Sequence, residues 1–333
     1  MKSQCLKSMM VAAALLLGAA SSAVAADKIA YQLGWIPSGA NGIEYLAKAE
    51  NYFAKAGLDV EIRNGNGSAD AITRVAAGSA DMTAVGIESV YAAVAQQKLP
   101  IRVIYSIYSK KPDSIHLWAA MPFTGLKDLA GKKIATSAYS SINVVWPLFL
   151  QKNGVDPASV NLLKVDAVAL APLVASGQVD GILEWVTGAP TDALVMKSAG
   201  KEMRVVKWSD FGYDSYGYVI VANEKFLKER PEVARRFLDA FVKASAAAVA
   251  NPSAVGVAMA KTVSGLDAKV SGEEFGASVP LIDNEISRRD GPGRFDAERV
   301  KTTWGWVAKS QGLSATALDP MAVIDQSFLP GAR

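Results

Sequence analysis

Six short segments carry the side chains whose types and spacing could do chemistry. They are residues 33–42 (LGWIPSGANG), 64–71 (NGNGSADA), 85–91 (VGIESVY), 136–147 (TSAYSSINVVWP), 183–190 (LEWVTGAP) and 210–218 (DFGYDSYGY). Together they offer the aromatic faces of Trp35, Tyr139, Trp146, Trp185, Tyr213 and Tyr216. They also offer the carboxylates of Asp70, Glu88, Glu184, Asp210 and Asp214, and no lysine or arginine. Aromatic faces beside carboxylate acceptors suit a flat ring bearing N–H donors, or a cation. An anion would have to rest on helix N-termini alone.

From these segments the expected ligand contacts are Trp35, Ser38, Asn41, Gly67, Ser68, Glu88, Tyr139, Ser140, Ser141, Glu184, Trp185 and Tyr216. Trp35 and Trp185 would stack on a ring, and Glu88 and Glu184 would accept its N–H groups. Gly67, Ser68, Ser140 and Ser141 would present backbone or hydroxyl groups. Ser68, Ser140 and Ser141 also suit helix N-caps, a role compatible with binding. The glycine-rich run at 64–67 lacks the Lys-Ser/Thr of a phosphate loop.

Other chemistries find few side chains. The chain has one histidine, His116, and one cysteine, Cys5. A zinc site needs several such ligands, and a histidine-based nucleophilic triad could use only His116. His116 lies in an apolar extended run, 114–120, and reads as a structural strand residue. No metal and no cofactor is expected.

The elements that must position the six segments show an internal echo. Residues 75–82 read VAAGSADM and residues 174–181 read VASGQVDG. Each copy follows a lysine-led strand (Lys28-Ile29-Ala30; Lys133-Ile134-Ala135), a helical stretch ending in glycine (Gly57; Gly154) and a β-rich run (59–62; 160–165). Glycine after an apolar-periodic helix supplies the left-handed residue that turns the chain back. Alternating strands and helices predict an α/β fold of mostly parallel sheets, duplicated as two lobes. Ligands of such sheets bind at the carboxyl ends of strands, here between the lobes. After YVIVA (218–222) the chain turns helical. Pro231 opens a helix over 232–251, with further helices over 253–264, 272–286 and 295–311.

The first 26 residues read as a secretory leader: Lys2 and Lys7, an apolar run at 9–18, then Ala23-Val24-Ala25 before a cut near Ala25 or Ala26. The apolar run is too short to span a bilayer. Removing the leader removes Cys5, so the exported chain has no disulfide and rests on a large core. Of 35 basic residues two are leader lysines, which leaves 33 against 32 acids. That balance gives no electrostatic footprint for nucleic acid.

Several stretches resemble a known family. They are LGWIPSGANGIEYLAKAENYFAKAGLDVEI, NGNGSADAITRVAAGSADM, GLKDLAGKKIAT, VDGILEW and YVIVANEKFLKERPEVARRFLDAFVKA. The chain resembles periplasmic substrate-binding proteins of ABC importers, in the nitrate/sulfonate/taurine and thiamine-pyrimidine-precursor (THI5/NMT1-like) superfamily. The resemblance covers nearly all of residues 28–250. It implies a type II two-lobed fold that closes on a small-molecule ligand and is read by a membrane permease. Lobe I would comprise 27–115 plus 217–333 and lobe II 118–212, with hinge strands near 114–118 and 213–217. The implied protein is a periplasmic monomer that neither inserts into the membrane nor binds nucleic acid. The acidic, aromatic loops resemble pyrimidine-precursor binders more than sulfonate binders. A sulfonate- or nitrate-type anion remains the alternative, and a secreted carboxylate enzyme acting on a heterocycle the alternative of another class. Fungal pyrimidine synthases share the fold but use an essential histidine and a cysteine-rich motif. The absence of cysteine after residue 5 departs from them.

Overall fold

A computed structural model describes residues 25–331. The expected leader, with Cys5, therefore lies outside the described residues but for Ala25 and Ala26. Ten strands form two sheets. The first contains β1 (Asp27–Leu33), β2 (Leu58–Arg63), β3 (Met82–Gly86), β4 (Ile101–Ser106) and, from far along the chain, β10 (Tyr218–Asn223). The second contains β5 (Asp113–Trp118), β6 (Lys133–Ser137), β7 (Asn161–Val165), β8 (Gly181–Trp185) and β9 (Met203–Lys207). Their orders are β2-β1-β3-β10-β4 and β7-β6-β8-β5-β9. Each sheet has one antiparallel strand in fourth place, β10 and β5 respectively. One topology is thus built twice.

The sequence echo has a physical cause in this topology. Gly78 and Gly177 take φ of +73° and +78° after their helices, a conformation that favours glycine. The aspartates that follow then tie down the neighbouring strand. Asp81 accepts from the Ala30 amide and Asp180 from the Lys133 amide, both at 2.8 Å. The backbone N–H groups of the same aspartates donate to the carbonyls of those two residues. This register corrects the match between the lysine-led strands: Ala30, not Lys28, is the counterpart of Lys133.

The expected hinge strand at 114–118 is also corrected. β5 pairs with β8 and β9 along its whole length. Residues 113–115, placed in lobe I from sequence, therefore belong to the second sheet. The chain passes between the sheets at 107–112 and returns at 208–217. The two passages touch where the Gly217 amide donates to the Tyr108 carbonyl at 3.0 Å.

The tail covers the first sheet. Helix Pro231–Ala250 starts with proline in its first turn and buries Phe237 against Tyr31 and Phe53, with ring centroids 5.5 and 5.1 Å apart. Stacked aromatics of this kind add to the burial of their large apolar area. Asn251 ends that helix and caps Pro252–Thr262. Helix Ala268–Ile282 follows, capped by Asp267, and reaches back to the cleft. Helix Ala297–Ser310 buries Trp304, whereas Trp306 turns to Tyr213 at 4.6 Å.

Candidate functional site

A cavity of about 450 Å³ lies between the lobes at the carboxyl ends of the parallel strands. Eight of the twelve expected contacts line it: Trp35, Ser38, Asn41, Ser68, Ser140, Ser141, Glu184 and Trp185. The two tryptophans cross the cleft. Trp35, from the first sheet, packs beside the apolar cluster of Ala135, Leu170 and Val174 in the second. Trp185, from the second sheet, stands edge-on to Tyr108 and Tyr218 of the first, at 6.0 and 5.2 Å. Each indole is therefore held by the opposite lobe.

The other four expected contacts sit elsewhere. Glu88 is fully buried in the first turn of helix Ile87–Gln97 and does not line the cavity. Its carboxylate pairs with Lys111 at 2.7 Å and accepts from the Tyr213 hydroxyl at 2.6 Å and the Ser215 hydroxyl at 3.3 Å. All three partners come from the two inter-lobe passages, so Glu88 serves the hinge. Tyr216 is buried too, against Phe295, and its hydroxyl accepts from the Asp296 amide. Tyr218, two residues on, takes the cavity position. Gly67 and Tyr139 meet each other across the cleft. A Cβ on Gly67 would lie 2.6 Å from that of Tyr139, and the Ala69 amide donates to the Tyr139 carbonyl at 3.2 Å. The Tyr139 ring is 53% exposed. Of the remaining loop aromatics, Trp146 and Tyr213 pack around Trp208 in the second core. Asp70 and Asp214 pair with Arg74 and Arg299.

Several lining residues escape the sequence argument. Asp192 and Thr191 come from helix Ala189–Ser198, and Glu274 from the tail helix Ala268–Ile282. Glu274 accepts from the Gly39 amide at 2.6 Å on its own lobe and from the Thr191 hydroxyl at 2.5 Å on the other. Its carboxyl is raised above the usual range by burial, against the pull of Thr191 and Gly39. Tail residues carry no strand-exit signal, and nothing in the local sequence brings residue 274 beside residue 39.

Four carboxyl groups line the cavity, Glu184, Asp192, Asp267 and Glu274, and among its described lining residues there is no lysine or arginine. The Glu184 carboxyl is pushed up to about 8, first by burial and then by Asp192, against the Trp185 amide that donates to it at 2.8 Å. Two further polar atoms are buried without partners: the Asn41 side-chain oxygen and the Ser141 hydroxyl. Asn41 is held by its amide nitrogen, which donates to the Tyr218 hydroxyl at 2.9 Å. The cavity thus presents acceptors and hydroxyls between aromatic walls. No group of side chains among the described residues is arranged to hold a metal ion.

Two duplicated α/β lobes around one enclosed polar and aromatic cavity define a two-lobed substrate-binding protein. The chain belongs to the NMT1/THI5-like family, which matches residues 41–255. A formylaminopyrimidine-binding protein of Halalkalibacterium halodurans is 24% identical over 86% of this chain and 87% of the relative. A riboflavin-binding protein of Chloroflexus aurantiacus is 22% identical over 92% of this chain and 87% of its own length. The alkanesulfonate-binding protein of Xanthomonas axonopodis pv. citri, solved with MOPS, shares the fold. Its TM-score is 0.70 at 16% identity, covering 90% of this chain and 98% of that one.

Proposed function

We propose that the protein is a periplasmic solute-binding component of an ABC importer that captures a small aromatic heterocycle rich in N–H donors, of the pyrimidine type. The observation that carries this reading is the cavity wall: aromatic faces, four carboxyl groups and no basic side chain. A flat ring would sit by Trp35 and Trp185, with its amino groups toward Glu184 and Asp192. The formylaminopyrimidine- and riboflavin-binding relatives point to the same ligand class. In this reading the protein captures its ligand without turnover and acts as a monomer. No helix among the described residues is long and apolar enough to cross a membrane.

The test is to purify residues 27–333 under native conditions, denature the protein and identify the released molecule by mass spectrometry. A stoichiometric aminopyrimidine, unchanged on incubation, is the expected result. A sulfonate or nitrate would overturn the ligand class and leave the fold standing, and a converted product would make the protein an enzyme. If the protein emerges empty, thermal-shift titration with 4-aminopyrimidine and taurine in parallel decides between the classes.

A further inference from the structure

His116 is the chain's one histidine and is fully buried in β5, behind the cavity wall. Its Nδ1 lies 2.7 Å from Asp192 Oδ2, and its Nε2 lies 3.0 Å from Ser114 Oγ. Ser114 has a single hydroxyl proton, and it donates to the backbone carbonyl of Glu184 at 2.8 Å. With that proton on the carbonyl, Nε2 donates to the Ser114 oxygen while Nδ1 donates to the Asp192 carboxylate. In this arrangement both ring nitrogens are donors, the imidazolium form.

We propose that His116 is a positioning residue for the ligand cavity: as a buried imidazolium it fixes Asp192 and cancels its charge. The ligand part of this inference rests on the solute-binding reading above. The chain of bonds joins two lining acids, because Ser114 ends on the backbone of Glu184 and His116 ends on the side chain of Asp192. The Asp192 oxygen not bonded to His116 has no hydrogen-bond partner among the described residues and is left for the ligand. Charged groups reach this face from several elements. Glu184 comes from β8, Lys207 from β9 opposite Ser114, Asp192 from helix Ala189–Ser198, and Glu274 from across the cleft. Helix Leu170–Ser176 adds none. Of these groups, Asp192 bonds to the ring. With His116 charged, the corner accepts N–H groups without demanding a multiply charged cation. Without that charge, it would favour cations.

A single histidine makes the test direct. Tag-free protein labelled with ¹⁵N-histidine gives one pair of ring signals, and no ligand is needed. Two protonated nitrogens at neutral pH, lost in Asp192→Asn, are expected. One protonated nitrogen in the wild type would overturn the proposal, because the Ser114 hydroxyl would then point at the ring. The second arm compares affinities for neutral 4-aminopyrimidine and its cationic 5-aminomethyl analogue. His116→Gln keeps an N–H donor to Asp192 but not the charge, so selectivity should shift at least about threefold toward the cation. An unchanged ratio would overturn the charge role. His116→Leu, if it folds, should weaken both probes about tenfold, and recovery in His116→Gln separates positioning from packing. Failure of both probes to bind the wild type would sink the pyrimidine reading, and the ring signals would still decide the state of His116.

Discussion

Glu184 decides between two ligand chemistries, and its pH dependence reads out which one operates. Its carboxyl is raised to about 8, first by burial, so at pH 7 most molecules keep the proton. A protonated carboxyl places an O–H donor beside a C=O acceptor. That pair matches the ring nitrogen and amino group on one edge of an aminopyrimidine. Glutamine offers the same donor and acceptor. Glu184→Gln should therefore bind 4-aminopyrimidine within about threefold of wild type at pH 7, whereas Glu184→Ala forfeits two hydrogen bonds. At ~0.5–1.5 kcal/mol each, the loss is roughly 5- to 150-fold. At pH 9 the wild type must take up a proton to bind, which weakens binding by about tenfold. Glu184→Gln should show no such fall. Titration calorimetry at pH 6.5, 7.5 and 9 measures all three proteins. Tighter binding by the wild type at pH 9, together with loss of binding in Glu184→Gln at pH 7, would show that the carboxylate is the binding form. Glu184 would then not bind through a protonated edge.

Three further outcomes follow from the geometry. Gly67→Ala introduces a Cβ 2.6 Å from that of Tyr139 at a φ of +138°, so ligand affinity should fall by ~1–3 kcal/mol, measured by the same titration. Thr191→Val removes the hydroxyl that bonds Glu274 across the cleft. It should raise the ligand off-rate by up to about tenfold, followed by stopped-flow tryptophan fluorescence, with the on-rate little changed. Stability of the ligand-free protein should fall as pH rises from 6 to 9. Burial lifts Glu44 and Asp113 to about 7 and Glu184 to about 8. Each folded carboxyl therefore binds its proton more tightly than the unfolded one. That contribution is complete below the unfolded values and is lost as pH passes 7 to 8. Thermal melts across this range check the sign, and Glu184→Gln should flatten the upper part of the curve.

The fold was legible because its signals are local. The paired echoes around Asp81 and Asp180 mark one helix-to-strand turn used twice, and Pro231 marks a helix start. The cavity was legible where a strand exit feeds it directly, as at Trp35, Ser68 and Glu184. Rotation within a first helical turn is a finer matter. Glu88 follows β3 as expected, yet its carboxylate is taken up by Lys111, Tyr213 and Ser215 and does not line the cavity. The lysine-led strands misled by two residues because Lys-Ile-Ala opens both of them, while the register is fixed by Asp81 and Asp180. Glu274 and Asp192 reach the cavity through tertiary packing, which spacing along the chain does not encode.

The placement of Lys111 argues for a division of labour among the buried charges. A fully buried ammonium is costly unless it is paired. Burial lowers its proton affinity, but Asp113 and Glu88 outweigh that and raise it, so the charge persists. Those partners lie on opposite lobes: Glu88 begins a helix packed on the first sheet, and Asp113 begins β5 of the second, opposite Trp185. An ammonium inside the cavity would have occupied the acceptor atoms that face the ligand. Placed instead in the passage at 107–112, it fastens both lobes to the hinge and leaves Glu184 and Asp192 available. The register of Asp113 with Trp185 then gives a physical route from ring contact to hinge: a ligand that fixes the Trp185 indole fixes the strand partner of the residue that holds Lys111.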